Sequence, residues 1–195
     1  MNATAPRQLQ FEQQRIQILD TFIKMLKVDG LRAVSMLSLA SELGISTKTL
    51  YKHFPTKADL IQAVVELNDL RFNESRTRRI MTGLDMHQRM VSGALEWFEL
   101  RSELGEMFWH ELQRDYIEVY TLFEQRLQFF LEQSVAILKP EICDGLNKDY
   151  ALSLLWKQIN DVPSYEECEK FGLTRKDALV QAIDIWARGC LKMYQ

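Results

Sequence analysis

Apolar residues recur at spacings of three and four along most of this chain, the period of helices that bury one face. Ile16, Leu19, Ile23 and Leu26 mark a first helix, which Asp29-Gly30 ends. Ser35 is placed to cap a second, short helix with Leu39, Ala40 and Leu43 on its apolar face. Gly44 follows where a helix end needs positive φ, and Ile45 anchors a tight turn. Ser46 then caps a third helix that turns Leu50 and Phe54 inward. Small Ala40 lets the two short helices approach closely, and the combination predicts a helix-turn-helix. Pro55 stops the third helix, and Thr56-Lys57-Ala58-Asp59 fits a capping box for a fourth.

Beyond residue 75 the periodicity predicts five more helices, and strand signals are weak. Met86, Met90, Leu95 and Trp97-Phe98 belong to a fifth helix over residues 85–100. Ser102 or Glu103 opens a sixth, with Met107, Phe108, Trp109 and Leu112. Residues 116–138 form a long seventh, stopped by Pro140, and Asn147 caps an eighth that runs to about Asp161. Ser164-x-x-Glu167 opens a short helical turn ending near Gly172. Thr174-Arg175-Lys176-Asp177 is a second capping box, starting a ninth helix with Leu179, Ile183, Trp186, Cys190 and Met193 at helical spacing. The expectation is an all-α protein of about nine helices. Residues 1–75 form a helix-turn-helix head including the fourth helix, and residues 76–195 a larger helical domain.

The third helix decides what the head is for. With Leu50 and Phe54 buried, Thr47, Lys48, Thr49, Tyr51, Lys52 and His53 face outward, and none is acidic. Ammonium groups, hydroxyls and an imidazole suit phosphate oxygens and base edges. The unpaired amides that open the fourth helix, with Lys57 beside them, make an anion site able to hold one phosphate. Arg7, Gln8 and Gln10 precede the packed part of the first helix, an extension that can reach a neighbouring phosphate but more often simply frays. A small solvated hairpin with a surface lysine is the bland alternative for either helix taken alone.

The run Gly30, Ser35, Leu39-Ala40, Leu43-Gly44-Ile45-Ser46, Thr49-Leu50-Tyr51, His53-Phe54 and Lys57-Ala58-Asp59-Leu60 resembles the DNA-binding domain of TetR-type transcriptional regulators. The resemblance spans roughly residues 10–70 and is carried by spacing together with residue type. It implies a three-helix head plus a fourth helix, a ligand-sensing helical domain and a homodimer on a double-stranded DNA operator. Carried over by position, the DNA contacts are Ser35, Ser46, Thr47, Lys48, Thr49, Tyr51, Lys52, His53 and Lys57. Lys48 stands where a small residue is frequent in the family, and Met36-Leu37-Ser38 is less polar than usual; both bear on the operator sequence. The expected function is a ligand-responsive regulator, a repressor released from a palindromic operator by a small molecule.

Composition refines this picture. Over 195 residues the net charge is −3, which seems wrong for a DNA binder until it is divided. Residues 1–80 hold 12 basic and 8 acidic groups, whereas residues 81–195 hold 12 and 19. A basic head on an acidic body is the expected asymmetry. Within it, Arg71, Arg76, Arg78 and Arg79 read as a solvated face. Cys143, Cys168 and Cys190 form no CxxC pair and predict free thiols in a reducing compartment. There is no apolar run of membrane length, and Met1 to Arg7 lacks the apolar core of a secretory signal, so a cytoplasmic protein without membrane, metal or cofactor is expected.

The C-terminal domain offers two further sites. Trp97, Phe108, Trp109, His110, Tyr116, Tyr120 and Phe123 crowd the middle of the chain and are candidates for an effector pocket, although aromatics at helical spacing also simply fill cores. The eighth and ninth helices carry more apolar surface than terminal helices need, which makes Trp156, Leu179, Ile183, Trp186 and Cys190 candidates for a four-helix dimer interface. The rival classes are a helical enzyme and an interaction adaptor. The glycines are scattered and form no phosphate loop. Leu50, Leu84 and Met107 stand three before the histidines, where a helical di-iron site needs glutamate.

Overall fold

The computed structural model describes residues 4–195, with side chains from Gln8 onward except Ile80. Arg7 and the first residues of the leader segment therefore lie outside the described side chains. Ten α-helices are present among the described residues: α1 (Thr4–Ala33), α2 (Met36–Glu42), α3 (Thr47–His53), α4 (Lys57–Met81), α5 (Met86–Leu104), α6 (Glu106–Asp115), α7 (Ile117–Leu138), α8 (Lys148–Asn160), α9 (Tyr165–Lys170) and α10 (Arg175–Cys190). The expected turn at 165–170 is a helix in its own right, which raises the count from nine to ten.

The chain forms two compact units. One comprises residues 1–70 with 101–124, the other residues 71–100 with 125–195. In the first, α1 packs against α2 and α6, and α2 against α3. Its buried residues include Ile18, Phe22, Leu26, Leu39, Leu50, Phe54, Leu60, Phe108 and Leu112. The stripe on α1 is rotated from the expected one. Ile16 is 58% exposed, and Ile18 and Phe22 occupy the core beside Leu19, Ile23 and Leu26. Helical order on α1 is interrupted at Gly30, with φ 79°, a left-handed conformation that favours glycine. A side chain there would meet Met107 Sδ at 3.1 Å.

Caps fix most of the other boundaries. Ser35 Oγ accepts from the Ser38 amide, and Ser46 Oγ from the Thr49 amide. Gly44, at φ 64°, makes the turn between α2 and α3. Thr56 and Asp59 exchange hydrogen bonds in a capping box, as do Ser164 with Glu167 and Thr174 with Asp177. The start of α6 departs from expectation. No break opens at Ser102 or Glu103; α5 continues to Leu104, and Gly105 at φ 80° ends it.

In the second unit, α10 packs against α8 and α9. Leu138, Ile142, Leu152, Leu155, Leu179, Ile183 and Trp186 form its core, with the Trp186 indole donating to the Ala151 carbonyl at 2.7 Å. The charge asymmetry expected from the sequence does not follow these units. The first carries 10 basic and 13 acidic groups and the second 14 of each, because Arg71, Arg76, Arg78 and Arg79 belong to the second.

Candidate nucleic-acid interface and effector cavity

The outward face of α3 is built from a helix of only two turns, held by its cap and by burial of Leu50. Lys48, Tyr51 and Lys52 are exposed, and Thr47 and Thr49 are half-buried. The Thr49 hydroxyl pairs with Ser46 Oγ at 2.8 Å, so these two hydroxyls hold the helix start as well as facing outward. Ser35 is likewise exposed and capped onto Ser38, 3.1 Å between hydroxyls. No acidic side chain stands on α3. The positive character of this surface is therefore local, set by Lys48 and Lys52 rather than by the net charge of the unit.

Two of the expected DNA contacts serve the fold instead. His53 is 6% exposed. Its ring stacks on Phe11 at 4.0 Å between centroids, and Nε2 lies 3.0 Å from Gln14 Oε1. The position faces α1 because the last turn of α3 closes against it, and Arg15 reinforces the seam by donating to the His53 carbonyl and lying over the Phe54 ring. Burial, with the nearby Arg15 cation, lowers the His53 pKa below its ordinary value.

Lys57 is the second. Its ammonium donates to the Leu31 carbonyl, at the end of α1, instead of standing free beside the opening amides of α4. Burial pushes its pKa down, opposed by the Glu111 and Asp115 carboxylates. Glu111 completes the clamp. Its Oε2 accepts from the Leu31 amide at 2.8 Å and the Arg32 amide at 3.2 Å. Asp115 receives a two-pronged contact from Arg32, at 2.8 and 3.2 Å, and also pairs with Arg114; the two guanidiniums hold its carboxyl well below the usual range. Nothing in the local sequence signalled that α6 would satisfy backbone groups some 80 residues away.

The expected aromatic cluster divides. Phe108, Trp109 and Phe123 are buried in the first unit, with Trp109 4.8 Å from Phe123 and Arg101 over its ring. His110 is exposed, Tyr116 and Tyr120 are half-buried, and the Tyr120 hydroxyl donates to Glu124 at 2.7 Å. None of these six is among the residues that line the cavity beside Trp97. Trp97 instead faces a cavity of about 560 Å³ within the second unit, walled by α4, α5, α7 and α8. Phe72, Met90, Phe130, Val135 and Trp156 share that wall. Arg76, Arg79 and Arg89 also line it, so Arg76 and Arg79 leave the solvated face expected for the arginine-rich end of α4, whereas Arg78 is exposed.

Residues 18–64 match the family described as bacterial regulatory proteins, tetR family. The likeness extends beyond that stretch in three dimensions. SmeT, described as the repressor of the Stenotrophomonas maltophilia multidrug efflux pump SmeDEF, covers 91% of this chain and 90% of its own at 18% identity, with a TM-score of 0.67. The fatty acid degradation regulator FadR from Bacillus halodurans covers 90% and 95% at 15% identity, with a TM-score of 0.70. The family match thus covers the helix-turn-helix region of this chain, residues 18–64. At these identities the structural likeness is one of fold. In sequence, the nucleoid occlusion factor SlmA of Shewanella baltica is 36% identical over 52 residues, which span 27% of this chain and 26% of that relative.

The apolar surface of α8 and α10 makes them the expected dimer helices, but several of the expected interface residues are taken up within their own unit. Leu179, Ile183 and Trp186 are buried in their own unit, Trp156 lines the cavity, and Cys190 is half-buried. The outward face of α10 carries Ala178, Gln181, Ala182 and Ile185, the last 71% exposed, and α8 turns Tyr150 and Leu154 outward. Counting apolar residues on a helix does not say which of two apolar faces the core takes. No group of three or more His, Cys, Asp and Glu able to hold a metal occurs among the described residues, and none of their helices is long and apolar enough to cross a membrane.

Proposed function

We propose that this chain is a DNA-binding transcriptional regulator that acts as a homodimer on an inverted-repeat operator and releases it when a small molecule fills the cavity of the second unit. The observation that carries the reading is α3: a capped, two-turn helix presenting Lys48, Tyr51 and Lys52 without an acidic neighbour, in a head of TetR type. Thr47 and Lys48 occupy its first turn, the part of such a helix that reads base edges. Tyr51 and Lys52 are suited to phosphates. In a dimer paired through the outward faces of α8 and α10, two α3 helices meet successive major grooves about 34–36 Å apart.

The cavity supports ligand control because α4 is a single helix with a foot in each unit. Its start supplies Leu60, Ile61 and Val64 to buried positions, and its end supplies Phe72, Arg76 and Arg79 to the cavity wall. A repressor role accords with SmeT, which is described as a repressor. The test is selection of bound sequences from a random DNA pool, followed by titration at several salt concentrations. Enrichment of an inverted repeat, with affinity falling steeply as salt rises, is expected. A pool that yields no common sequence and shows no salt-dependent binding overturns the reading.

A further inference from the structure

The cavity of the second unit is apolar along most of its wall, yet three arginines face it. Two are already committed. Arg79 is ion-paired with Glu96, donates to Ser75 Oγ at 3.0 Å and lies over the Phe72 ring. Arg89 donates through Nε to the Leu84 carbonyl at 2.7 Å. Arg76 is different. Its Nη2 donates to Gln133 Oε1 at 2.6 Å and its guanidinium stands 5.7 Å from the Phe130 ring centroid, but Nη1 is buried and has no hydrogen-bond partner among the described residues. A buried guanidinium donor left unpaired is costly.

The acidic side chains on the wall do not supply that partner. Asp149 is exposed and paired with Lys139 at 2.6 Å, and Glu132 is exposed and accepts from Gln128. Gln133 fixes one edge of the Arg76 fork and the Phe130 ring supports its plane. This leaves a planar donor of fixed orientation on a residue that lines the apolar cavity, with Nη1 buried and unpartnered behind its surface, which matches a carboxylate reaching it through a small side-chain shift better than a neutral or cationic group.

We propose that the cavity takes an apolar carboxylate, its hydrocarbon part against Phe72, Met90, Trp97 and Trp156 and its carboxyl group on Arg76. The inference rests on the reading of this cavity as the effector site and adds the chemical class of the effector. Cavities of this volume hold ligands of drug or fatty-acid size.

The test compares three probes of one chain length, decanoic acid, decan-1-ol and decylamine, each titrated below its micelle concentration. Calorimetry and the fluorescence of Trp97 and Trp156 report binding. Decanoic acid is expected to bind about tenfold or more tightly than the alcohol, the worth of a hydrogen bond to a charged group. In Arg76→Gln that preference is lost while alcohol binding stays within about twofold. Arg76→Lys, which keeps the charge but not the fork, falls between. Equal affinity for acid and alcohol in the wild type, preference for the amine, or no binding by any probe overturns the proposal, and these outcomes need no variant to fold. A parallel titration with operator DNA separates the two readings. Decanoic acid that binds through Arg76 without loosening DNA leaves the ligand class standing and refutes effector control. Release by acid and alcohol at equal affinity does the reverse.

Discussion

Glu111→Ala is the most informative single change in the head. The wild-type carboxylate accepts from the Leu31 and Arg32 amides, and Lys57 holds the Leu31 carbonyl from the other side. Leu31 is fully buried, so truncation leaves its amide without an acceptor or with a water in the space vacated. A hydrogen bond to a charged group contributes about 1.5–3 kcal/mol. Here two share one oxygen and the Arg32 bond is the longer, so the expected loss is about 3 kcal/mol rather than the full sum. Against a typical stability of about 5–15 kcal/mol that is a large fraction. Urea denaturation followed by circular dichroism measures it, and the Leu31 amide should lose hydrogen-exchange protection before its neighbours on α1. Glu111→Gln keeps an acceptor without the charge and should cost about 1 kcal/mol. A double-mutant cycle with Lys57→Ala should show coupling, since both residues hold one peptide unit. If Glu111→Ala lies within about 0.5 kcal/mol of wild type, the clamp contributes nothing and the reasoning fails.

Three further outcomes are expected. Lys48→Ala should abolish preference for a guanine in each half-site, worth about 1–3 kcal/mol in the wild type, with only a modest loss of non-specific affinity; titrations against single-base operator variants at fixed salt decide it, and an unchanged profile means that Lys48 touches phosphate alone. His53 has a lowered folded pKa, so the unfolded chain binds its proton first. The stability it supports is present above about pH 6.5 and lost as pH falls below that value toward the folded pKa; His53→Gln should flatten this part of the urea-midpoint profile, and an equally steep slope in the variant removes His53 as its source. Ile185→Glu should yield a folded monomer by light scattering, whereas Trp186→Glu should unfold the second unit, because only the latter places an unpaired charge in a core; a dimer that survives Ile185→Glu excludes that face from the interface.

What could be read from the sequence was local, and what could not depended on distant partners. Ser35, Ser46, Asn147, Ser164 and Thr174 cap the helices they were expected to cap, because a cap is a hydrogen bond across three residues and needs no tertiary context. The helix-turn-helix followed for the same reason, from Ala40, Gly44 and the spacing of Leu39 and Leu50. The sequence neighbours of Lys57 describe a helix N-terminus, while its carbonyl partner lies 26 residues earlier. Helical phase alone puts His53 on the exposed side of α3, but α1 covers that phase with Phe11 and Gln14. Arginine on a surface helix is usually solvated, so local sequence does not set Arg76 and Arg79 on a cavity wall. Only the fold places α5 and α7 across from them.

The same dependence on distant partners bears on where the head ends. A boundary at residue 75 follows the apolar periodicity, but it separates the Leu31 and Arg32 amides from Glu111 and the Arg32 guanidinium from Asp115. The helical path is broken at Gly30, so the Leu31 and Arg32 amides stand at the start of a new helical segment, where first-turn donors lack partners within the helix. They must be satisfied by something, and the residues that do so arrive on α6. Phe108 and Leu112, on the same helix, are buried in the same unit. The helix-turn-helix lies within residues 35–54, but the compact unit that holds it also includes residues 101–124. The polar clamp on Leu31, rather than the apolar stripe of α1 alone, determines that extent.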